Sequence, residues 1–371
     1  MDEILRSKFQ TLADLFQIFG EIQSIRTVNH GHINSTYDII IKKDGKDHRF
    51  IFQKINSFVF KEPQKIMQNI ELITTHIANK LEQKGKSRDG VMHFAHKADG
   101  ANFHIVEDGF WRISEFVPNI TTYSICNDPK VLRSAGAAFG EFQINLADFD
   151  ASLLHETIPN FHNTRMRIET LMKHVDEDPC DRVAEVTTEL EKIRAFTPEA
   201  IRLTELIDAG KLPLRVTHND TKINNILFDR DTKEAKTVID LDTVMPGLVA
   251  YDFGDAIRFA ANKAAEDEPD LEKVGIDLEL YRAFADGFVP ALAATMTETE
   301  LKTLALGAFV MTAEVGIRFL DDYISGDTYF KTEYPKHNLV RARCQIELAE
   351  DMLRHMDEMN AIIDEIVTST K

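Results

Sequence analysis

The stretch LRVTHNDTKINNILFD occupies residues 214–229 and places a group of polar side chains between two apolar runs. The runs Leu214–Val216 and Ile226–Phe228 have the composition of short buried strands. A turn between two strands explains asparagine and aspartate, because both side chains bond readily to turn backbone. It does not explain a histidine, an aspartate and an asparagine at fixed offsets. The stretch therefore predicts a functional loop held between two strands.

The loop has the residue types that phosphoryl transfer from a nucleotide requires. Asp220 and Asn225 lie five residues apart, and a later strand-like run ends at Asp240. One carboxylate would accept or orient the hydroxyl proton of the acceptor, while a second carboxylate and a neutral oxygen would bind Mg²⁺. The protein-kinase pattern H-R-D-x-x-x-x-N, followed by an aspartate at a strand end, has the same order. The spacing therefore predicts a kinase-like active site.

Two positions differ from the protein-kinase pattern. Asn219 stands where that pattern has arginine, and Leu241-Asp242 replaces the Phe-Gly pair after the metal-binding aspartate. We interpret His218 as a residue that braces the loop through hydrogen bonds and takes no part in the chemistry.

Composition excludes several classes of protein. The 371 residues are 43% hydrophobic, carry a formal net charge of −18 and include three widely spaced cysteines. A polyanionic partner would be repelled by this charge, and the cysteines suit a reducing compartment without disulfides. Neither a signal peptide nor an apolar run long enough for a membrane span is visible. We expect a cytoplasmic monomer that binds small molecules, with no nucleic-acid or membrane partner.

The first third of the chain reads as β-rich. Ser35–Ile41 and His48–Ile55 alternate like strands, and Asp44-Gly45 between them is a hairpin signal. A helix should follow from Pro63, with an apolar stripe of isoleucines and Gly85 at its end. A second hairpin is expected around Asp108-Gly109.

The pattern changes after Pro118. Helical periodicity dominates from there, beginning with Val131–Phe149 and ending with one long helix over Asn338–Val367. The exceptions are short strands around residues 214–217, 226–228 and 236–240. We therefore place a boundary between residues 1–117, a small β-rich N-lobe, and residues 118–371, a larger and mostly helical C-lobe.

At these residues the sequence resembles the family of aminoglycoside phosphotransferases and choline kinase-like enzymes. The resemblance extends from residue 31 to residue 341 and is carried by several blocks: 31–37, 214–227, 239–243, 245–247, 252–255, 257–259, 334–335 and 337–341. It implies an α+β fold of the bilobal protein-kinase-like type, with nucleotide bound by the N-lobe and the acceptor by the C-lobe.

The resemblance also implies roles for individual residues. Asp220 would be the catalytic base, and Asn225 and Asp240 would bind Mg²⁺, with ATP as co-substrate. Residues 29–36 correspond to the loop that covers the phosphates, and 116–117 to the hinge that pairs with adenine. The implied nucleotide-binding residues are Gly31, Asn34, Ser35, Thr36, Gln53, Phe116 and Val117.

Within the family, the sequence shows a closer resemblance to kinases that phosphorylate the anomeric hydroxyl of N-acetylhexosamines. It implies acceptor contacts from His32, Asp220, Arg318 and Tyr329. Arg318 lies in an apolar run, so it either lines a polar pocket or pairs internally with Asp321 or its neighbour Asp322; we favour the pocket. Alternative acceptors are an amino alcohol, homoserine or an aminoglycoside. A nucleotide-binding pseudokinase is a further alternative.

The lysine that protein kinases carry in the third strand is absent. Gln53 occupies its position, and strand alternation should direct Lys54 to the opposite face. Either the strand is bulged or the phosphates are bound by metal and backbone. Glu71 on the predicted helix either bonds Gln53 or is a solvated residue, and the sequence does not choose between the two.

A separate group of charges follows the loop. Asp252, Asp255 and Arg258 are spaced to share one helical face, where we predict an ion pair.

Overall fold

The computed structural model describes residues 3–28, 34–57 and 60–370, with no side chain described for Asp89. In these ranges an antiparallel sheet with two helices precedes a larger, mostly helical part, which confirms the predicted α+β, two-lobed architecture. No helix within the described ranges is both long enough and apolar enough to cross a membrane.

The described part of the N-lobe contains two α-helices and five strands. In chain order these are α1 (Glu3–Leu15), β1 (Glu21–Val28), β2 (Ser35–Lys43), β3 (Lys46–Ile55), α2 (Pro63–Gln83), β4 (His104–Val106) and β5 (Gly109–Glu115). The strands form one antiparallel sheet in the order β1-β2-β3-β5-β4. Both predicted hairpins are present, and Asp44, Gly45 and Gly109 take the positive φ angles that tight turns require.

The first helix and first strand were not predicted from the sequence. α1 buries only three side chains, Phe9, Leu12 and Ala13. The Phe9 ring packs edge-on against Phe52 and Trp111 of the sheet, so tertiary packing supplies most of the contacts of this helix. In β1 the register shifts between Ile22 and Ser24, and a bulge there disrupts the period-two alternation by which strands are recognised.

α2 joins the two lobes through a common core. Its predicted apolar stripe is buried, and it belongs to the same hydrophobic cluster as the C-lobe residues Val131, Phe139 and Leu241. The other face of the N-lobe sheet packs on α1 in a separate, smaller cluster. The position of α2 is therefore fixed by both lobes.

The C-lobe is mostly helical, and short strands carry the functional loop. Its elements are β6 (Ile120–Thr121), α3 (Pro129–Asn145), α4 (Thr164–Glu177), α5 (Thr187–Ala200), α6 (Arg202–Asp208), β7 (Arg215–Thr217), β8 (Ile226–Asp229), β9 (Ala235–Val238), β10 (Met245–Gly247), α7 (Val249–Ala260), α8 (Leu278–Leu292), α9 (Glu298–Lys302), α10 (Leu304–Ile324), α11 (His337–Arg354) and α12 (Met356–Thr370). β7 pairs with β10, and β8 pairs with β6 and β9.

The helix α7, which contacts the functional loop, crosses α10 at a very short distance. A Cβ atom built on Gly254 of α7 would lie 2.2 Å from the Gly307 carbonyl oxygen of α10. Only glycine allows the two backbones to approach this closely. This packing fixes the position of α7, whose Asp252 bonds to the loop between β7 and β8.

The prediction of a single helix over Asn338–Val367 is wrong, because this segment is divided into two helices. The structure has two helices, α11 and α12, which are separated at His355. Apolar spacing continues on both sides of this residue, so periodicity alone does not reveal the break. The division after residue 117 remains a prediction; the described N-lobe sheet ends at Glu115.

Candidate active site

The loop between β7 and β8 brings the polar residues of the opening stretch together. Asn219 has a φ angle of 63°, in the left-handed region, so the chain turns sharply before Asp220. A single 3₁₀ turn, Ile223–Asn225, then leads into β8. Asn225 Nδ2 donates to the Asp220 carbonyl at 2.8 Å and to Asp220 Oδ2 at 3.1 Å. The side chains that were predicted to work together are therefore in direct contact.

Asp252 on α7 holds the backbone of this loop. Its carboxylate accepts hydrogen bonds from the backbone N–H groups of His218, at 2.8 Å, and Asn219, at 2.7 Å. The Gln143 side chain donates to the same carboxylate at 2.6 Å. The predicted ion pair exists between Asp255 and Arg258, at 3.1 Å, but Asp252 takes no part in it. Sequence spacing identified the shared helical face and missed the role of Asp252, because its partners lie 33 and 34 residues away along the chain.

His218 is fully buried and braces the loop, as predicted. Its Nε2 lies 2.9 Å from the Ile239 carbonyl oxygen, and its Nδ1 accepts from the Asp220 backbone N–H at 3.3 Å. A neutral ring with its proton on Nε2 satisfies both contacts. The histidine thereby ties the loop to the chain that precedes Asp240.

The Asp220 carboxylate is set up to remain ionised. Burial alone would raise its pKa, but the positive charge of Lys222 and hydrogen bonds from Lys222 and Asn225 outweigh this effect and lower the pKa. Lys222 Nζ lies 3.3 Å from Asp220 Oδ1. An ionised carboxylate in this position can accept a hydrogen bond from a hydroxyl group.

Asp240 follows β9 in a left-handed conformation, with φ 59° and ψ 56°. Its side chain is open to solvent. The surrounding protein nevertheless limits the hydration of the carboxyl group, and this effect, with the negative charges of Asp242 and Asp220, raises its pKa to about 7. A cation bound among these carboxylates would remove the repulsion.

The residues present fit a Mg²⁺ ion that is completed by its nucleotide. Both hydrogens of the Asn225 amide point toward Asp220, which leaves the side-chain oxygen for a ligand. Within the described ranges no group of three or more His, Cys, Asp or Glu side chains could hold a metal by itself. Mg²⁺ needs no such group, because it is commonly bound by one or two protein oxygens with phosphates and water.

A buried ion pair joins the lobes beside Asp240. Arg112 of β5 forms a hydrogen-bonded ion pair with Asp242, and each side chain is only 3% exposed. Arg112 Nε also donates to Gln53 Oε1 at 3.0 Å, and Asn34 Nδ2 donates to Asp242 at 2.8 Å. An arginine on the neighbouring strand therefore lies next to Gln53, the residue that the sequence predicts in place of the protein-kinase lysine.

Sequence reasoning missed Arg112. The signal for it was a charged residue in the otherwise apolar run Phe110–Ile113. Its partner could not be found this way, because Gln53 faces Arg112 only through the register of β3 and β5.

No bulge interrupts β3, and Lys54 lies on the other face of this strand, where its Nζ is 3.7 Å from the Asp108 carboxylate. Glu71 does not bond Gln53 but accepts from His96 and Asn102, each at 2.9 Å.

Of the predicted nucleotide-binding residues that the structure describes, Ser35, Thr36 and Gln53 lie in strands of the N-lobe sheet, and Phe116 and Val117 follow β5. Gly31, and His32 from the acceptor set, fall outside the described residues. Ser35 and Thr36 open β2, where Thr36 accepts a hydrogen bond of 3.2 Å from Gln53.

At the hinge, the Phe116 backbone N–H donates to the Arg49 carbonyl at 3.1 Å, and the Phe116 ring packs under the Arg49 guanidinium. The Phe116 N–H is thus already bonded within the protein. Among the two predicted hinge residues, Val117 is the one with a backbone N–H that the described contacts leave free for a ligand.

Arg318 lies among aromatic rings and not in an ion pair. Within the described part of the chain its contacts are to the rings of Phe161, Tyr329 and Phe330, at 5.4–5.8 Å from their centroids. Asp321 pairs instead with His174 at 2.6 Å. Asp322 accepts from the backbone N–H groups of residues 328–330. Both candidate partners are occupied elsewhere, and Tyr329 itself is largely exposed.

Comparison with known proteins identifies the family. The profile of the phosphotransferase enzyme family matches residues 24–286. A solved microcompartment-associated aminopropanol kinase superposes with a TM-score of 0.61 at 15% sequence identity, covering 95% of this chain and 98% of that one. Choline kinase from Cryptosporidium parvum gives a TM-score of 0.55 at 13% identity and covers 99% of both chains.

A third solved structure, spectinomycin phosphotransferase APH(9)-Ia in complex with ADP and spectinomycin, gives a TM-score of 0.54 at 12% identity. It covers 97% of this chain and 98% of its own. At these identities the superpositions establish the fold.

Proposed function

Because the chain belongs to the phosphotransferase enzyme family, we propose that it is an ATP- and Mg²⁺-dependent N-acetylhexosamine 1-kinase. It would transfer the γ-phosphoryl group of ATP to the anomeric hydroxyl of N-acetylglucosamine or N-acetylgalactosamine. The new bond joins the anomeric oxygen to the γ-phosphorus, and the bond between the γ-phosphorus and the β,γ-bridging oxygen breaks. The products are the sugar 1-phosphate and ADP.

Asp220 is the proposed catalytic base. Its lowered pKa keeps the carboxylate ionised at neutral pH, so that it can accept the hydrogen bond of the anomeric hydroxyl and then its proton. Asn225, Lys222 and the braced backbone fix the direction of this carboxylate. Because phosphoryl transfer makes few covalent demands on the protein, positioning of this kind accounts for much of the catalysis.

The Asn225 side-chain oxygen and the Asp240 carboxylate are the proposed Mg²⁺ ligands. Bound Mg²⁺ supplies neutralisation of the charge on the transferring phosphates. Arg112 and Asn34 hold the neighbouring Asp242 in place, so that the segment that carries Asp240 is fixed from the N-lobe side.

The single observation that favours a neutral sugar acceptor is that the Arg318 guanidinium has no hydrogen-bond acceptor among the described residues. Its guanidinium faces aromatic rings and donates to no acceptor among the described residues. The N–H groups of a guanidinium without protein partners can donate hydrogen bonds to hydroxyl and carbonyl oxygens of a ligand. His32 and Tyr329 would complete the acceptor contacts by bonding ring hydroxyls.

The named relatives favour a second candidate, an amino alcohol acceptor, because aminopropanol kinase and choline kinase share the fold. Sites for such cations use aromatic cages or clustered carboxylates. Aromatic rings are present here, but a guanidinium stands among them and would repel a second cation. We therefore place the neutral sugar first.

Measurement of ADP release with a panel of acceptors tests the proposal. The panel contains N-acetylglucosamine, N-acetylgalactosamine, glucose, choline, aminopropanol, homoserine and an aminoglycoside. We expect the highest kcat/KM with an N-acetylhexosamine, together with loss of its reducing end as the anomeric hydroxyl is phosphorylated. A higher kcat/KM with choline or aminopropanol would replace the sugar by an amino alcohol. Absence of ADP release with every acceptor would favour a nucleotide-binding pseudokinase.

A further inference from the structure

A second arginine, which the sequence analysis did not identify, shares the contact of Arg318 with Phe161. Arg167 on α4 is half-buried, and its Nη2 donates to the Phe161 carbonyl at 3.1 Å. Its Nε is buried and has no hydrogen-bond partner within the described ranges. Burial lowers the pKa of Arg167, and the positive charge of Arg318 lowers it further. Both guanidinium groups contact Phe161, Arg167 at its carbonyl oxygen and Arg318 over its ring, so two like charges lie on either side of one residue.

Two carboxylates act on the charge of Arg167, but neither accepts a hydrogen bond from it. The carboxylates whose charges act on the Arg167 guanidinium belong to Glu314 and Asp321. Glu314 accepts from His162 at 3.0 Å and from Thr164 at 2.7 Å. Asp321 accepts from His174. These carboxylates therefore offset part of the positive charge from a distance, while donors of Arg167 and Arg318 have no acceptor among the described residues.

The arginine pair adjoins the catalytic loop. The Phe161 ring contacts both the Arg318 guanidinium and the His162 ring. His162 Nε2 lies 3.3 Å from the Asn219 carbonyl oxygen, which immediately precedes Asp220. A ligand that reached Asp220 from this side would therefore lie close to both arginines.

We propose that Arg167 and Arg318 together bind the carbonyl oxygen of the acceptor's acetamide group, and that Arg167 determines the preference for N-acetylated sugars. This inference rests on the proposed function. A carbonyl oxygen has two lone pairs and can accept one hydrogen bond from each guanidinium. The negative charges of Glu314 and Asp321 offset part of the positive charge and so weaken the attraction for an anion. A neutral group with directed lone pairs matches the free donors, whereas a cation offers them no acceptor.

The test compares Arg167→Met and Arg167→Lys with the wild-type protein. The first variant removes the donors, and the second keeps the charge but replaces the planar fork by a point charge. Arg165→Lys is the matched control, because Arg165 is on the same helix but pairs with the surface residue Asp208. Initial rates are measured with N-acetylglucosamine and with glucose, and the KM for ATP is determined in parallel.

We expect both Arg167 variants to lower kcat/KM for N-acetylglucosamine by about tenfold or more, because a site built to hydrogen-bond a substrate group loses its preference when the donor is gone. The values for glucose and the KM for ATP should change by less than about threefold. A residue with only a structural role would alter all three alike. The Arg165→Lys control should match the wild type.

A substrate-side measurement covers the case in which the Arg167 variants do not fold. The wild-type protein is assayed with the thioacetamide analogue of N-acetylglucosamine, whose sulfur is a weak acceptor. Its KM should exceed that of the oxygen compound by several-fold. Equal KM values for the two compounds, or an unchanged preference for N-acetylglucosamine over glucose in folded Arg167 variants, would overturn the assignment of Arg167 and leave the proposed function intact. If the wild-type protein phosphorylates no N-acetylhexosamine, the function and the acetamide assignment are both wrong.

Discussion

The Asp252 carboxylate accepts a 2.7 Å hydrogen bond from the backbone N–H of Asn219, the residue directly before Asp220. Asp252 is only 1% exposed, and its other oxygen is bonded by the His218 N–H and by Gln143. Asn219 itself is in a left-handed conformation that is uncommon for residues other than glycine. One buried side chain on α7 therefore stabilises an unfavourable backbone turn and sets the direction of Asp220.

Asp252→Asn should lower both stability and turnover. An amide in this place presents N–H groups to donors that need an acceptor, and we expect unfolding free energy to fall by about 2–3 kcal/mol. Misdirection of Asp220 should reduce kcat by about tenfold or more. Urea denaturation and initial rates measure the two effects. The exposed Asp357→Asn substitution on α12 serves as control, and equal behaviour of the two variants would contradict the bracing role.

Asp220→Asn should leave nucleotide binding nearly intact and reduce kcat by roughly 10²-fold or more, as expected for loss of a positioned base. Asn225 would keep a partner in this variant, because the amide oxygen still accepts its hydrogen bond. Calorimetry measures nucleotide affinity, and ADP release measures kcat. Turnover within threefold of the wild type would remove Asp220 from the catalytic role.

Asp240→Asn should abolish Mg²⁺-dependent ATP binding, because the main carboxylate ligand is lost. Asn225→Ala should weaken binding less, since a neutral oxygen compensates less of the ion's charge. Calorimetry with Mg²⁺ and ATP compares the two variants. Unchanged affinity in Asp240→Asn would contradict the assignment of this residue as a metal ligand.

The pH dependence of stability gives an independent check on Asp240. Its folded-state pKa of about 7 lies above the ordinary value of 3.8, so between these pH values the folded protein binds more protons than the unfolded chain. This group therefore makes the metal-free protein less stable as pH rises through that window. Asp240→Asn should raise the melting temperature of the metal-free protein at pH 8 and have little effect at pH 4. A lower melting temperature at pH 8 would show that the carboxylate is not under repulsion.

Removal of one member of the Arg112–Asp242 ion pair should be strongly destabilising. Both side chains are buried, so Arg112→Met would leave an unpaired buried carboxylate and cost about 3–5 kcal/mol of unfolding free energy. Lys54→Met, which removes a partly exposed pair with Asp108 on the same lobe, should cost no more than about 1 kcal/mol. Chemical denaturation measures both variants. Equal losses of unfolding free energy in the two variants would indicate that the buried pair stabilises the protein no more than the exposed pair does.

Arg318→Ala should raise the KM for the sugar acceptor by at least about tenfold, about 1.4 kcal/mol, and leave the KM for ATP little changed. The reason is that its donors face no acceptor among the described residues and are available to a ligand. Steady-state kinetics with each substrate varied in turn separates the two constants. If the substitution lowers the melting temperature sharply and alters both KM values alike, Arg318 supports the structure and does not bind the acceptor.

The sequence alone determined the type of fold and the residues of the catalytic loop. Local patterns carry this information: Asp220, Asn225 and Asp240 occur at short, fixed spacings, and the strands and α2 follow hydrophobic periodicity. The same patterns failed where the signal is not periodic. The bulge in β1 interrupts the alternation that would have predicted this strand. The helix α1 is stabilised mainly by the packing of Phe9 against the sheet, which a local pattern does not reveal.

Only the tertiary structure decided which distant side chains support the site. Strand register places Arg112 opposite Gln53, the docking of the lobes brings Arg112 to Asp242, and the packing of α4 against α10 brings Arg167 to Arg318. These partners are separated by between 59 and 151 residues. No local pattern encodes such pairs, because their energy depends on burial and mutual geometry that exist only once the chain has folded.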